Sequence, residues 1–169
     1  MKRNFVKTIG GTVLAFMVIS ALTFGLVSAQ DESISERSES RGDRLVGTWD
    51  AQVTIRNCQT GAAIRTFASI GTFMSGGTSL DSTSGIPQAL KTPGHGVWSQ
   101  TGGNTYRFKF KSFSFDANGN FTGWTIINHE ANLSHRGDEY ESAGTAEVYA
   151  PNGNLLFTGC STTTATRFE

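Results

Sequence analysis

Histidine, tyrosine and cysteine are the side chains through which this chain could do chemistry, and their spacing narrows what that chemistry is. His129-Glu130 opens like a zinc-protease motif, but Leu133 stands where the second histidine belongs. The surrounding segment reads as a strand, in which neighbouring residues point to opposite faces, so His129 and Glu130 cannot serve one site. His129 and His135 share a face, yet six residues of strand separate them by roughly 20 Å, too far for a shared metal ion. There is no G-x-S-x-G, no Gly-rich phosphate loop and no C-x-x-C. No metal site and no cofactor are expected. Proton transfer or hydrogen bonding by His129 remains, with Tyr106 as the other candidate for a catalytic role. His95, at the start of a strand after the longest loop, stands where an entrance could be.

The acids point the same way. By parity Asp50, Glu130, Glu139, Glu141 and Glu147 face solvent, while Asp116, Asp138 and Glu169 fall in turns or at the end. No two acids converge inside, which disfavours a hydrolase built on paired carboxylates. His129 is then the one titratable group expected within the interior.

These residues must be positioned by strands. Gly is abundant at 20 residues, Pro scarce at 3, and only 17% of residues are charged, a balance that favours β-structure over helix. Alternating runs closed by Gly/Asn-rich turns predict strands over 47–57, 62–75, 78–84, 95–100, 105–115, 121–134, 139–150 and 155–168. The Asn118-Gly119 and Asn152-Gly153 turns tolerate positive φ. Sequential hairpins suffice, so the expected fold is all-β: an eight-stranded antiparallel up-and-down β-barrel.

Alternation assigns the faces. Trp49, Ala51, Val53 and Ile55 share the inner side of the first strand; Tyr140, Ser142, Gly144, Ala146 and Val148 that of the seventh. The eighth sends Leu155, Phe157, Gly159, Ser161, Thr163 and Ala165 inward and lines its outer face with threonines. In the fifth, Tyr106, Phe108 and Phe110 point in; Phe113 and Phe115 break phase, which a bulge near Ser112 would explain. The small inner residues of the last two strands leave room in a barrel wide enough for one small molecule. Tyr106, Phe108, Phe110 and Phe157 are the expected walls of such a site, and His129, Tyr140, Ser142 and Ser161 would orient a ligand's polar end. The alternative is a core filled by the aromatic rings.

The cysteines test closure. Cys58 ends the first strand and Cys160 lies in the eighth, so a closed barrel lets them bridge; setting them opposite each other places Ala51 opposite Arg167 and puts Arg167 on Trp49's face. Two buried free thiols are the alternative.

Residues 1–29 read as a signal peptide: Lys2, Arg3 and Lys7 precede an apolar run, and Val27-Ser28-Ala29 supplies the cleavage pattern. An uncleaved membrane anchor is the alternative. Removing three basic and no acidic residues takes the balance of 14 basic and 14 acidic groups to about −3. That disfavours nucleic acid, and after signal removal an anionic membrane, as partner. Residues 30–43 carry five acids and two arginines without periodicity and read as a disordered tether. One domain, 44–169, follows, secreted or periplasmic.

Gly47-Thr48-Trp49 at the start of the first strand, with Arg167 near the end of the last, resembles the lipocalin and calycin pattern of a G-x-W tryptophan packed under a late arginine at the barrel base. With no T-D-Y motif and no recognisable C-terminal helix, the resemblance is to a lipocalin-like barrel rather than a core lipocalin. It implies a secreted carrier of small hydrophobic molecules. At the level of fold the chain is also similar to allene oxide cyclase-like barrels. Three functions follow: a binding barrel for an apolar or amphipathic molecule, a cyclase- or isomerase-type enzyme using His129 or Tyr106, and a structural barrel with a filled core.

Overall fold

The computed structural model describes residues 43–168. The expected leader, and residues 30–42 of the expected tether, lie outside the described residues. The strands are β1 (Gly47–Arg56), β2 (Ala63–Met74), β3 (Thr78–Thr83), β4 (Gly94–Gly102), β5 (Thr105–Phe115), β6 (Phe121–Leu133), β7 (Glu139–Tyr149) and β8 (Leu155–Arg167). Each pairs antiparallel with its chain neighbours, and β1 pairs with β8, closing an eight-stranded up-and-down barrel.

Side chains in the turns make these hairpins locally. Asp116 Oδ1 accepts from the Asn118 and Asn120 amides at 2.8 and 2.9 Å, and Asn57 Oδ1 from the Gln59 and Thr60 amides at 2.9 and 3.0 Å. Outside the barrel, threonines pair across strands, as in Thr54 with Thr66 at 2.9 Å.

One end is sealed. Trp49 is fully buried, its indole N–H donates to Leu45 O at 3.0 Å, and the Arg167 guanidinium lies 4.5 Å over its ring. Arg167 also donates to Gly137 O, Val46 O and Arg44 O at 2.6, 2.9 and 2.6 Å, tying the 3-10 turn Asp43–Leu45 across the base. Gly47 is required here: at φ 137° a Cβ would lie 2.6 Å from an Arg167 nitrogen. The G-x-W spacing thus has a steric cause, the glycine admitting the arginine that covers the tryptophan.

Three registers differ from expectation. Trp49, not Ala51, faces Arg167, and Arg56, not Cys58, faces Cys160. The Cys58–Cys160 disulfide nevertheless forms, with Cα atoms 5.2 Å apart, because the chain leaves the ladder at Arg56 and Cys58 reaches back from the turn. There is no bulge at Ser112: alternation runs through, Ser112 is buried, and Phe113 points outward onto Phe121, with Lys111 over its ring. The irregularity comes later, between Ser114 and Phe115. A further shift between Val148 and Tyr149 sets Leu155 opposite the outward Tyr149, so Leu155 is exposed rather than inward.

Candidate ligand cavity

Above the sealed base the barrel is hollow. A cavity of about 300 Å³ opens between the hairpin turns at the opposite end, within the size range of small-molecule sites. Its floor is aromatic: Phe73 meets Phe108 and Tyr140 edge-on at centroid distances of 5.5 and 6.1 Å, and Tyr140 packs on Trp49 at 5.0 Å. Val53, Ile55, Phe67, Phe110, Ile127 and Val148 line the walls. The loop between β3 and β4 carries the 3-10 turn Gln88–Leu90 and brings Ile86 to the opening; Arg65 holds it there, donating to Gly85 O at 2.7 Å.

His129 is the polar centre. It pairs with Gly144 on β7, which in turn pairs with Ser161 on β8. The imidazole lies across that glycine, where a Cβ would sit 2.6 Å from the ring, and so spans β7. Its Nδ1 meets Ser142 Oγ and its Nε2 meets Ser161 Oγ, both at 2.9 Å. Burial lowers the His129 pKa to about 4, so the ring is neutral at neutral pH. With both nitrogens engaged by hydroxyls, a proton can reach a bound molecule only through a serine.

A second polar cluster, outside the residues expected from sequence, lies in the cavity. Asp81 on β3 and Lys91 in the β3–β4 loop both line the cavity and form an ion pair at 3.6 Å, with side chains 16% and 10% exposed. Ser69 donates to Asp81 at 2.7 Å. Burial raises the Asp81 pKa, with the Ser69 hydrogen bond and the Lys91 charge pulling the other way. His129 is therefore not the one titratable group inside. Alternation hides this cluster because β3 inverts it: Leu80 is exposed, whereas Ser79 is buried and Asp81 lies against the buried Ser69. The recoverable signal was register, since Phe73 and Gly71, across the hairpin, pair with Ser79 and Asp81 and carry the inner face over.

Three hydroxyls around this space have no hydrogen-bond partner among the described residues. Ser79 and Ser112 are buried and unpaired. The Tyr140 phenol, 5% exposed, makes ring contacts but no hydrogen bond; burial, then the Asp81 charge, pushes its pKa well above a phenol's ordinary value.

Of the eight expected ligand contacts, the structure brings Phe108, Phe110, His129, Tyr140, Phe157 and Ser161 to one cavity. Phe157 stands at the rim, 59% exposed, instead of forming a deep wall. Ser142 does not line the cavity and instead bonds His129 Nδ1. Tyr106 is displaced from its expected role: it is fully buried beside Trp98, centroids 6.0 Å apart, in the packed layer below the cavity. Parity placed it correctly inside but could not say how far up the barrel it lies. His95 sits on the outer face of β4, away from the opening's lining. Among the described residues no group of three or more His, Cys, Asp and Glu side chains is placed to hold a metal ion. No family model, curated protein or solved structure matches this chain.

Proposed function

We propose that the protein is an extracytoplasmic, lipocalin-like barrel that binds one small, largely apolar molecule. The observation that carries this is the cavity of about 300 Å³, apolar-walled and open at one end only, above a base closed by Trp49 and Arg167. A core built only for stability would be filled, because empty volume forfeits dispersion contacts. The disulfide supports a secreted or periplasmic setting, where such bonds persist. A cyclase- or isomerase-type activity has less support, since Tyr106 lies outside the cavity and both nitrogens of His129 are bonded to serines.

Native mass spectrometry of the purified protein tests this reading. A non-covalent adduct of small mass is expected, and Ala146→Trp, which fills the cavity from its wall, is expected to remove it while the barrel still folds. An adduct that survives Ala146→Trp would place binding elsewhere and overturn the reading.

A further inference from the structure

The hydrogen-bonding groups inside the cavity are weighted toward donors. Unpaired buried donors are rarer and costlier than oxygens with spare lone pairs. This interior keeps several. Ser79 and Ser112 line the cavity, buried and donating to nothing among the described residues, and the Tyr140 phenol lines it with them. The histidine cluster adds another: a neutral imidazole donates through one nitrogen and accepts through the other. One of its two serines therefore spends its proton on the ring, and the other accepts from the ring and keeps a proton unspent. Of the two, only Ser161 lines the cavity.

These protons align if the chain of bonds runs outward. Ser142 donates to Nδ1, Nε2–H donates to Ser161 Oγ, and the Ser161 hydroxyl is left pointing its proton at the cavity. Every donor in that series is used once an acceptor oxygen arrives there. The charges facing the space are Asp81 and Lys91, already paired with each other, and Arg65, exposed at the mouth. An ionised group carried to the depth of His129 would find no counterion.

We propose that the cavity binds an uncharged molecule whose inner end bears an acceptor oxygen, a carbonyl or its equivalent, and that Ser161 donates to that oxygen at the end of the Ser142–His129–Ser161 relay. Ser79, Ser112 and Tyr140 are the donors available to further oxygens on the same molecule. The proposal rests on the reading of the barrel as a small-molecule binder.

Three matched probes test it on the folded, disulfide-bonded protein: 1-acetylnaphthalene, 1-ethylnaphthalene and 1-naphthoate, measured by equilibrium dialysis at neutral pH. The ketone is expected to bind about tenfold tighter than the hydrocarbon, the effect of one buried hydrogen bond at the upper end of its usual range. The carboxylate is expected to bind weakest. Ser161→Ala should bring ketone and hydrocarbon to within about twofold of each other. An independent reading needs no variant: ¹⁵N NMR of His129 should show the ketone shifting the ring toward the Nε2–H tautomer. Equal affinities for ketone and hydrocarbon, or an unchanged ratio in Ser161→Ala, would sink this proposal and leave the binding barrel standing. Tightest binding by 1-naphthoate, abolished in Arg65→Met, would replace it with an anion held at the mouth. Retention of none of the three probes would overturn both readings.

Discussion

A neutral histidine buried inside a barrel makes stability depend on pH with a calculable size and sign. His129 is 3% exposed and its pKa falls to about 4, against about 6.5 in the unfolded chain. At pH 7.5 and above both states leave it almost wholly neutral and it contributes little pH dependence. As pH falls below 6.5 the unfolded chain takes up a proton that the folded barrel refuses, so stability drops until about pH 4. From pH 7.5 to pH 5 the linkage integral comes to about 2 kcal/mol. At about 2.1 cal/mol/K of unfolding entropy per residue, over roughly 125 residues, that lowers Tm by about 8 °C. Asp81, whose pKa is raised, acts in the opposite sense, gaining folded-state protonation as pH falls through its folded value. The control therefore has to isolate the histidine. His129→Gln can still hydrogen-bond the two serines but does not titrate. Calorimetric or circular-dichroism melts of both proteins at pH 7.5 and pH 5 should show the drop in the parent and its near-disappearance in the variant. The same slope in both proteins would refute the claim that His129 is held neutral by burial.

Other perturbations separate the parts of the fold. Arg167→Met removes three hydrogen bonds to backbone carbonyls and the contact over Trp49; urea unfolding should show a loss of about 3 kcal/mol or more. Replacing both cysteines by serine frees a constraint across 102 residues of sequence, for which the chain-entropy model gives a loss of about 4.7 kcal/mol, read as a fall in the urea midpoint that matches the reduced parent. Gly144→Ala puts a methyl 2.6 Å from the His129 ring and against the Asn128 carbonyl. Its expected cost is about 2 kcal/mol, with displacement of the His129 resonances in NMR spectra.

The chain's local pattern made much of the fold legible. Strand-length runs with Asn-Gly turns specify hairpins, hairpins in series specify an up-and-down sheet, and Cys58 and Cys160 on the first and last strands argue for closure. The base was legible for a similar reason, since Trp49 and Arg167 lie at opposite ends of strands that must meet. Inner faces were read correctly wherever apolar and polar residues alternate cleanly, as from Trp49 to Ile55 and from Tyr140 to Val148.

Alternation carries one bit per residue, inside or outside, and is silent about height along the barrel axis. Tyr106 and Phe108 share a face, yet one is packed into the base and the other floors the cavity. That difference arises only when the neighbouring strands are staggered against each other. Register decided the rest: a two-residue offset set Arg56 rather than Cys58 opposite Cys160, and a shift near Tyr149 turned Leu155 out. On β3 the pattern itself misleads, because Asp81 is inside with Lys91 from a loop ten residues on. Burying that carboxylate is tolerable only with its counterion and Ser69 in place, and those partners meet in space, not in sequence. Hence the sequence alone determined that there is a closed barrel, plugged at one end, with a histidine within it. The depth of the cavity, its ion pair and its unspent hydroxyl protons were settled by tertiary structure, because each depends on distances between strands that no local periodicity encodes.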